Sequence, residues 1–385
     1  MRLALVTTDF PPMQGGISAL MSGLAQVLGQ KCRVTVLAPA APEAEAFDRG
    51  QPYAVVRAAG PPPFREATFL RALTRLERAE RLDAVVCAFW FTPGLVAYLT
   101  WRRRGIPYVV WAYGSDILDD WRTPRRAVKS ILRPLKRVIL GRASAIVAIS
   151  HYTRQVVADQ GVPATRIHVI CPGVDPSRFS PAPPRPEQLL RYRRGANRCL
   201  LTVARLDPHK GHGLVLRALA GPLGDIPALR YLIAGSGPEE SALRRTAASL
   251  GVEDQVVFLG HVPDGELPDL YRAADVFVMP SGSVDRADLV EGFGIAYLEA
   301  SASGKPVVGG RTGGTENAVV DGVTGFLVDP KDPAALARAL RAVLEDPSLA
   351  ERMGCAGRER VLTSLSLERM GERLLTLLES ELVPR

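Results

Sequence analysis

The sequence lacks the cysteine patterns of disulfide scaffolds and of zinc sites. Its 385 residues include only five cysteines, an odd number that are scattered without a Cys-x-x-Cys pair. This argues against a disulfide framework or a zinc site and suits a reducing cytoplasm. No cluster of carboxylates or histidines suggests another metal. We therefore expect neither a metal nor another cofactor.

Long hydrophobic runs are also absent, and none reaches the length that spans a bilayer. The N-terminal stretch MRLALVTTDF has a short apolar run, but Asp9 and Pro11 end it and no small-residue cleavage site follows. This pattern predicts a first β-strand rather than a signal peptide. The predicted localisation is cytoplasmic, and peripheral contact with the inner face of the plasma membrane stays an open alternative.

Two common enzyme motifs are missing. No segment completes the Gly-x-Gly-x-x-Gly fingerprint of dinucleotide-binding folds, which disfavours an oxidoreductase. No Gly-x-Ser-x-Gly occurs either, which excludes an α/β-hydrolase. What the sequence has in excess is positive charge, because 48 basic and 40 acidic residues leave a net charge of +8. Such a balance suits acidic partners, although dispersed arginine produces the same excess.

The chain alternates short, continuously apolar segments with longer amphipathic ones, which predicts parallel sheets covered by helices on both faces. A Pro- and Arg-rich stretch, 180–198, interrupts this alternation, which then restarts. We predict an α/β protein with two facing Rossmann-like, doubly wound domains and a cleft between them. The predicted bounds are 1–178 for the first domain, 179–196 for a linker and 197–365 for the second domain, with helix 366–385 packing back on the first.

In such sheets, ligands bind beyond the carboxyl ends of the strands. TTDFPPMQGGIS follows the first predicted strand, and its Gly15 and Gly16 lead into a helix, where backbone N–H groups can meet a phosphate. A tight strand–helix turn explains the same glycines equally well. VARLDPHKGH follows the first strand of the second domain and places Arg205 and Lys210 where they suit a diphosphate. Solvated surface charges are the simpler alternative.

Two more motifs belong to the second domain. LIAGSGP ends a predicted strand with Gly235 and Gly237, a weak signal by itself. DLVEGFGIAYLEA places Glu291 just before a helix that begins at about Gly294, and it places Glu299 two turns inside that helix. The helix is almost entirely apolar, so its glutamate needs polar partners. The hydroxyls of a sugar supply them, although a charge that complements the helix dipole is the simpler interpretation of Glu291.

In this order, the motifs FPPMQGG, RLDPHKG, GSGP, EGFGIAYLEA and GGTENAVVDGVTGFLV resemble those of the retaining glycosyltransferases of family 4, which have the GT-B fold. The resemblance covers nearly the whole chain, and its wording is closest to mannosyltransferases that use GDP-mannose. It implies a retaining hexosyltransferase that moves a hexose from a nucleotide-diphosphate sugar to a hydroxyl acceptor. GDP-mannose is the favoured donor, and UDP-sugars stay open. A nucleotide-sugar epimerase of the same architecture is the alternative.

The resemblance also implies roles for individual residues. Glu291, Arg205 and Lys210 are the implied catalytic residues: the glutamate holds the transferred sugar, and the two cations stabilise the leaving diphosphate. Glu299 is the implied partner of the ribose. Many relatives carry a His-Gly pair where this chain has WAYGSDI, which offers Tyr113 and Asp116 instead. The full set of predicted donor-binding residues is Gly15, Gly16, Tyr113, Asp116, Gly237, Val262, Phe293, Gly294, Ile295 and Glu299.

A basic segment, 122–142, bears on the acceptor. It contains no acidic residue, and its apolar residues recur at helical spacing, with Pro134 expected to kink or split the helix. The simpler interpretation is a helix that packs on the sheet and exposes its cations to water. The alternative is that the basic face contacts an anionic membrane or a phosphorylated, lipid-linked acceptor. Nucleic acid is not an expected partner. The cations are Arg122, Arg125, Arg126, Lys129, Arg133, Lys136, Arg137 and Arg142.

Overall fold

The structure is a computed structural model that describes residues 1–60, 64–114, 116–117, 126–282 and 290–382, without the side chains of 126–131 and 382. The chain forms two compact units. The first comprises Met1–Gly173 together with Leu367–Arg385, and the second comprises Val174–Ser366.

The first unit contains a parallel, seven-stranded sheet in the order β3-β2-β1-β4-β5-β6-β7. Its strands are β1 (Arg2–Val6), β2 (Arg33–Pro39), β3 (Ala54–Ala58), β4 (Ala84–Cys87), β5 (Tyr108–Ala112), β6 (Ala145–Ala148) and β7 (Ile167–Val169). Its helices before residue 173 are α1 (Gly16–Gly29), α2 (Ala44–Arg49), α3 (Arg65–Glu80), α4 (Pro93–Arg104), α5 (Arg126–Arg142) and α6 (His151–Ala158).

The central strands of this sheet are apolar on both faces because helices cover both. Strand β1 pairs with β2 and β4, so that Leu3 lies beside Val34 and Ala84. Strands β4, β5 and β6 are buried along their whole lengths. Apolar residues of α3, α4, α5 and α6 pack against these strands in one core cluster. The continuously apolar runs are thus explained by burial on both sides of a parallel sheet.

Helix α5 corrects part of the prediction for segment 122–142. Ile139 and Leu140 are buried in the core, and the helix continues through Pro134 instead of splitting there. Lys136, however, is buried, and its Nζ donates to the carbonyl oxygen of Ile117 at 2.8 Å. Val138, expected on the apolar face, is exposed. Helical spacing located the helix but did not fix which residues face the sheet. The predictions for this segment also include Arg122 and Arg125 and the side chains of Arg126, Val128, Lys129 and Ile131, which lie outside the described part of the chain.

The second unit contains a parallel, six-stranded sheet in the order β10-β9-β8-β11-β12-β13. Its strands are β8 (Arg198–Val203), β9 (Leu229–Ala234), β10 (Val256–Gly260), β11 (Val276–Met279), β12 (Val307–Gly310) and β13 (Gly325–Val328). Its helices are α7 (Pro186–Arg193), α8 (His212–Ala220), α9 (Glu240–Ser249), α10 (Leu267–Ala273), α11 (Ile295–Ala302), α12 (Thr315–Ala318), α13 (Pro333–Glu345) and α14 (Pro347–Ser364).

The segment predicted as a linker, 179–196, lies within the second unit instead. Its helix α7 buries Tyr192, whose hydroxyl donates to Glu266 at 3.0 Å, and Arg193 forms an ion pair with Asp275. The Pro cluster and the high arginine content suggested a solvated connection. Arginines of this segment instead form contacts with other residues of the second unit, as Arg193 does with Asp275.

The chain returns to the first unit through its last helix, α15 (Leu367–Leu382). This helix packs against α1, where Gly23 and Gly371 allow close approach to Leu367 and Val27 respectively. In the second unit, Asp332 and Asp346 cap α13 and α14 through their carboxylates, as the Asp-Pro pairs predicted. Among the described residues, no helix has the length and apolar character needed to cross a membrane.

Candidate functional site

The strand order of the second sheet reverses between β8 and β11, which pair side by side with Leu200 beside Val276. The loops that leave these two strands diverge at this point, and this is where open parallel sheets bind ligands. The loop after β8 carries Arg205 and Lys210. The chain that leaves β11 includes residues 283–289, outside the described residues, and then reaches Glu291. The predicted catalytic residues therefore belong to the two loops at the switch point.

The tertiary structure joins Lys210 and Glu291 directly. The Lys210 Nζ lies 2.6 Å from Oε2 of Glu291, and the two side chains are only 17% and 11% exposed. The Ser281 hydroxyl, just beyond β11, donates to the same carboxylate oxygen at 3.4 Å. The bond between Lys210 and Glu291 is charge-assisted and mostly buried, so it holds both side chains in a defined position.

The electrostatics of this pair keep the carboxylate ionised. Burial by itself raises the pKa of Glu291, but the charge and hydrogen bond of Lys210, with a smaller contribution from His209, bring it below its usual value. Burial and the Lys210 charge lower the pKa of His209. At neutral pH, Glu291 is therefore an acceptor of hydrogen bonds and His209 is neutral.

Backbone contacts fix the loop that carries Lys210. Residues Pro208–Lys210 form a 3₁₀ turn, and the carbonyl oxygen of His209 accepts the Gly282 N–H at 2.8 Å. A Cβ on Gly211 would lie 2.3 Å from the carbonyl oxygen of Pro280, so this position has no room for a side chain. Arg205 differs from Lys210, because its side chain is 71% exposed and lies 3.5 Å from Asp207. Its guanidinium is thus available to a ligand in solution.

Two consecutive glycines, Gly313 and Gly314, support the backbone of Glu291. The Gly314 N–H donates to the carbonyl oxygen of Glu291 at 2.9 Å. Gly313 has a φ of +56°, and a Cβ there would lie 2.4 Å from the same oxygen and 2.2 Å from Val290. The GGTENAVV stretch therefore needs glycine because it passes directly over the backbone of the loop that carries Glu291.

Helix α11 begins at Ile295, four residues after Glu291. Gly294 precedes its first residue with a φ of +87°, Phe293 is buried, and Ile295 is partly buried. The first N–H groups of a helix lack partners inside it, and together with the helix dipole they attract an anion. The predicted contact of Phe293, Gly294 and Ile295 with the sugar and phosphate stays a prediction.

Glu299 is held by a residue that the sequence analysis did not select. Its Oε2 accepts a hydrogen bond from the hydroxyl of Tyr271 at 2.5 Å. Burial raises the pKa of Glu299, and the bond from Tyr271 and the charge of Arg178 partly offset that rise. Tyr271 comes from α10, 28 residues away in sequence, so no local pattern indicated the pair.

Two other predicted residues of the second unit have clear structural roles. A Cβ on Gly237 would lie 2.6 Å from the carbonyl oxygen of Leu206, so glycine lets the turn after β9 pack on the loop that carries Arg205. Val262 is buried just after β10. These observations explain the residue types, and the donor contacts of Gly237 and Val262 stay predictions.

In the first unit, the strand order reverses between β1 and β4. The loop after β1 brings Gly15 and Gly16 to the N-terminus of α1, where Gly15 has a φ of +146° and open space around its missing Cβ. No side chain of the described residues caps this helix. Its first N–H groups therefore point to the carboxyl end of the sheet, as the prediction of a phosphate contact requires.

Tyr113 and Asp116 follow β5. Tyr113 is buried, and its hydroxyl lies 3.5 Å from Sδ of Met21 on α1. Asp116 accepts the N–H of Tyr113 at 2.9 Å, and burial, opposed by such backbone bonds, raises its pKa to about 6. Both residues thus have partners inside the unit. Their predicted contacts with the donor stay predictions.

The structure brings three sequence-predicted elements together, namely Lys210, Glu291 and the GGTENAVV loop. Ser281 and His209 join this group, and Tyr271 bonds Glu299 separately. Sequence reasoning missed all three residues. Ser281 and His209 had a usable signal, since each lies in a loop that leaves a strand at the switch point. Among the described residues, no group of three or more His, Cys, Asp or Glu side chains is arranged to hold a metal ion.

Comparison with known proteins identifies the family. Residues 14–178 match the family described as "Glycosyltransferase Family 4", and residues 193–360 match "Glycosyl transferases group 1". Among solved structures, HepE from Anabaena in complex with UDP has a TM-score of 0.81 at 20% identity, covering 99% of this chain and all of that one. The glycosyltransferase WaaG has a TM-score of 0.70 at 18% identity, covering 98% of this chain and 99% of its own. These structural likenesses confirm the predicted GT-B fold.

Curated relatives match the full length of the chain. It is 35% identical over 98% of both chains to the "GDP-mannose-dependent alpha-(1-6)-phosphatidylinositol monomannoside mannosyltransferase" of Mycolicibacterium smegmatis. A relative from Corynebacterium glutamicum, named for a monoacylated form of the same acceptor, is 33% identical over 98% of this chain and 97% of its own. The chain also resembles the "D-inositol 3-phosphate glycosyltransferase" of Geodermatophilus obscurus, with 35% identity over 81% of this chain and 70% of that one. The chain belongs to glycosyltransferase family 4 and is a glycosyltransferase that takes its sugar from a nucleotide sugar.

Proposed function

We propose that the protein transfers mannose from GDP-mannose to a hydroxyl of an inositol-phosphate acceptor carried on a lipid, with retention at the anomeric carbon. The observation that carries the chemistry is the ion pair of Lys210 and Glu291 at the switch point of the second sheet. The donor and acceptor are supported by the names of the full-length relatives.

In this proposal, the ion pair binds two parts of the donor. Glu291, kept anionic by Lys210, accepts hydrogen bonds from hydroxyls of the transferred sugar. Lys210 uses its remaining N–H donors for the diphosphate, and the exposed guanidinium of Arg205 binds the same group from the other end of the loop. The negative charge of the diphosphate grows as the bond to the sugar breaks, so these cations stabilise the transition state more than the ground state.

The proposed transfer step occurs on one face of the sugar. The bond between the anomeric carbon and the phosphate oxygen breaks, and the acceptor oxygen bonds to the anomeric carbon from the side that the phosphate leaves. The proton of the acceptor hydroxyl passes to the departing phosphate oxygen. The ionised Glu291 has no proton to donate at neutral pH, which agrees with a role in binding the sugar and not in acid catalysis.

The acceptor assignment uses what two groups of relatives share. The full-length relatives are named for phosphatidylinositol mannosides, and the shorter matches are named for D-inositol 3-phosphate. An inositol phosphate is common to both names. We favour the lipid-linked form because the match to the first group covers 98% of this chain and the match shown for the second covers 81%.

The described part of α5 supports peripheral contact with an anionic membrane. Arg133 and Arg137 are exposed one helical turn apart on this helix, and Val138 is exposed next to Arg137. Exposed cations beside an apolar side chain suit a surface of anionic headgroups. We therefore propose that this face binds the membrane that carries the acceptor.

The test is a transfer assay with each donor and acceptor varied separately. Labelled GDP-mannose, UDP-glucose and UDP-galactose are offered with phosphatidylinositol monomannoside in mixed micelles, with free inositol 3-phosphate, or with no acceptor. We expect labelled lipid only from GDP-mannose, with an α-linkage by proton–carbon coupling. A β-linkage would contradict retention, and product on free inositol 3-phosphate alone would contradict the lipid acceptor.

The same assay addresses the remaining alternatives. Formation of an epimeric nucleotide sugar without any acceptor would support the epimerase and contradict transfer. We also propose that no metal is required, because Arg205 and Lys210 supply the positive charge at the diphosphate. Transfer should continue at an unchanged rate in excess EDTA, and loss of activity that Mg²⁺ or Mn²⁺ restores would contradict this.

A further inference from the structure

Among the described residues, the hydroxyl of Tyr271 is the only hydrogen-bond partner of the Glu299 carboxylate. The bond joins the hydroxyl to Oε2 at 2.5 Å and links α10 to α11. The second oxygen, Oε1, accepts no hydrogen bond from any described residue, and Glu299 is only partly buried. One oxygen is therefore fixed by the protein, and the other is left for a ligand.

Packing holds Tyr271 firmly. Its side chain has no exposed surface, and its ring contacts those of Phe179 and Phe277, with centroids 5.7 and 5.8 Å away. The guanidinium carbon of Arg178 lies 4.9 Å from the centroid of the Phe179 ring. The same guanidinium donates to the carbonyl oxygen of Asp264. A ring confined on several sides leaves its hydroxyl a single direction, so the hydroxyl sets the orientation of the carboxylate it binds.

We propose that Tyr271 is a positioning residue that aims Oε1 of Glu299 at a hydroxyl of the donor's ribose, and so makes the enzyme select ribonucleotides over deoxyribonucleotides. This inference rests on the proposed function, in which Glu299 binds the ribose. Burial, together with the charge and the hydrogen bond of Glu299, raises the pKa of Tyr271 well above its usual value. The phenol is therefore protonated at every working pH and always acts as the donor.

Selectivity follows from the geometry of a single free oxygen. A carboxylate whose two oxygens were both free could rotate to meet whichever hydroxyl remained on a deoxyribose. With Oε2 fixed, Oε1 has one direction, and loss of the hydroxyl it faces leaves a partly buried, charged acceptor without a partner. Sites built to bond a substrate hydroxyl reject an analogue without it for this reason.

The experiment measures binding of GDP, 2′-deoxy-GDP and 3′-deoxy-GDP by isothermal titration to the wild type, Tyr271→Phe and Glu299→Ala. The matched control is Tyr192→Phe, which removes an equally buried hydroxyl that bonds Glu266 in the same unit. We expect the wild type to bind GDP at least about tenfold more tightly than one deoxy analogue, and Tyr271→Phe to reduce that ratio to about threefold or less. Tyr192→Phe should keep the wild-type ratio.

The ratio of two ligands on one preparation does not depend on the fraction of folded protein, so a destabilised variant still gives a valid result. If Glu299→Ala binds GDP as tightly as the wild type does, the ribose role of Glu299 in the proposed function is wrong. If Glu299→Ala weakens GDP binding but Tyr271→Phe keeps the full ratio, the positioning role of Tyr271 alone is overturned. A similar loss of the ratio in Tyr192→Phe would also overturn it, by showing a general packing effect.

Discussion

The two sheets of this protein reverse their strand order in the same way, but the loops at their switch points differ in what holds them. In the second unit, side chains and backbone converge on Glu291: Lys210 and Ser281 bond its carboxylate, and Gly313 and Gly314 pack on its backbone. In the first unit, no described residue lies within 4 Å of the position a Cβ of Gly15 would take, and none of their side chains caps α1.

The second unit therefore has a charged site whose side chains are already in contact, whereas the first unit offers only the backbone N–H groups at the start of α1. Burying a carboxylate is favourable only when its partners are fixed, so the second unit must build its site before any ligand arrives. A helix N-terminus needs no such preparation, because its N–H groups point outward in any case. Changes at the second switch point should therefore affect activity more than changes in the first unit.

The largest effect is expected from Glu291→Gln. The amide keeps the shape of the side chain but loses the charge that pairs with Lys210 and that, in the proposed function, binds the sugar. We expect kcat to fall by roughly a thousandfold, while the Kd for GDP changes by less than about threefold. The control is Glu266→Gln, which removes a paired carboxylate elsewhere in the same unit. A wild-type kcat in Glu291→Gln would disprove the role of Glu291.

Lys210→Met should lower kcat and also weaken GDP binding, because in the proposed function Lys210 binds the diphosphate in both the ground and the transition state. It should also change the pH profile. Lys210 is the main reason that the pKa of Glu291 is lowered, so without it the pKa rises. Activity requires the anion, and activity falls as pH falls through that pKa. The acidic limb of kcat/KM should therefore move to higher pH.

The exposed Lys331 provides the control for this variant, and Lys331→Met should leave both the kinetic constants and the acidic limb unchanged. If the limb of Lys210→Met stayed where the wild type has it, then Glu291 would not be the group whose ionisation is observed.

Gly313→Ala tests the backbone support of Glu291. The new Cβ would meet the carbonyl oxygen of Glu291 at 2.4 Å, so the loop that carries Glu291 must move. We expect kcat to fall by about ten- to a hundredfold, since a displacement of about 1 Å in a site has effects of that size. Gly322→Ala is the matched control, because Gly322 also has a positive φ, +74°, but open space around it. Equal losses in both variants would indicate backbone strain alone.

The smallest effect on catalysis is expected in the first unit, from Arg133→Glu combined with Arg137→Glu on α5. With a water-soluble acceptor analogue, turnover should change by less than about twofold. Sedimentation with vesicles of rising anionic-lipid content should instead show binding weakened by at least about tenfold, since each cation near the surface contributes on the order of 1 kcal/mol.

The control for the vesicle experiment is Arg102→Glu combined with Arg103→Glu on α4, which changes the net charge equally at exposed positions of the same unit. Equal weakening in both double variants would show that the total charge matters and not the face of α5. Negligible binding of the wild type at low salt would disprove membrane contact.

The sequence by itself determined the class of both sheets, most of their strands and the two loops of the candidate site, although it did not indicate β3. Continuously apolar runs must be buried on both sides, and alternation with helices makes the sheets parallel, so the loops after β8 and β11 were identifiable in advance. The Asp-Pro pairs at Asp332 and Asp346 predicted helix starts because an N-cap carboxylate and a proline act locally. The order of the motifs along the chain indicated the family, because each motif follows a predicted strand in the order that family members share.

Only the tertiary structure decided which side chains meet. Lys210 and Glu291 are 81 residues apart, and Tyr271 and Glu299 are 28 apart, so no local pattern connects either pair. The burial of Lys136 and the inclusion of 179–196 in the second unit depend likewise on what the rest of the chain places beside them. Periodicity indicates where an amphipathic element lies, whereas the burial of a given side chain and its hydrogen bonds depend on atoms that long loops bring together. For this reason the sequence indicated the loops of the candidate site, whereas only the fold showed that Lys210 bonds Glu291 and that Tyr271 bonds Glu299.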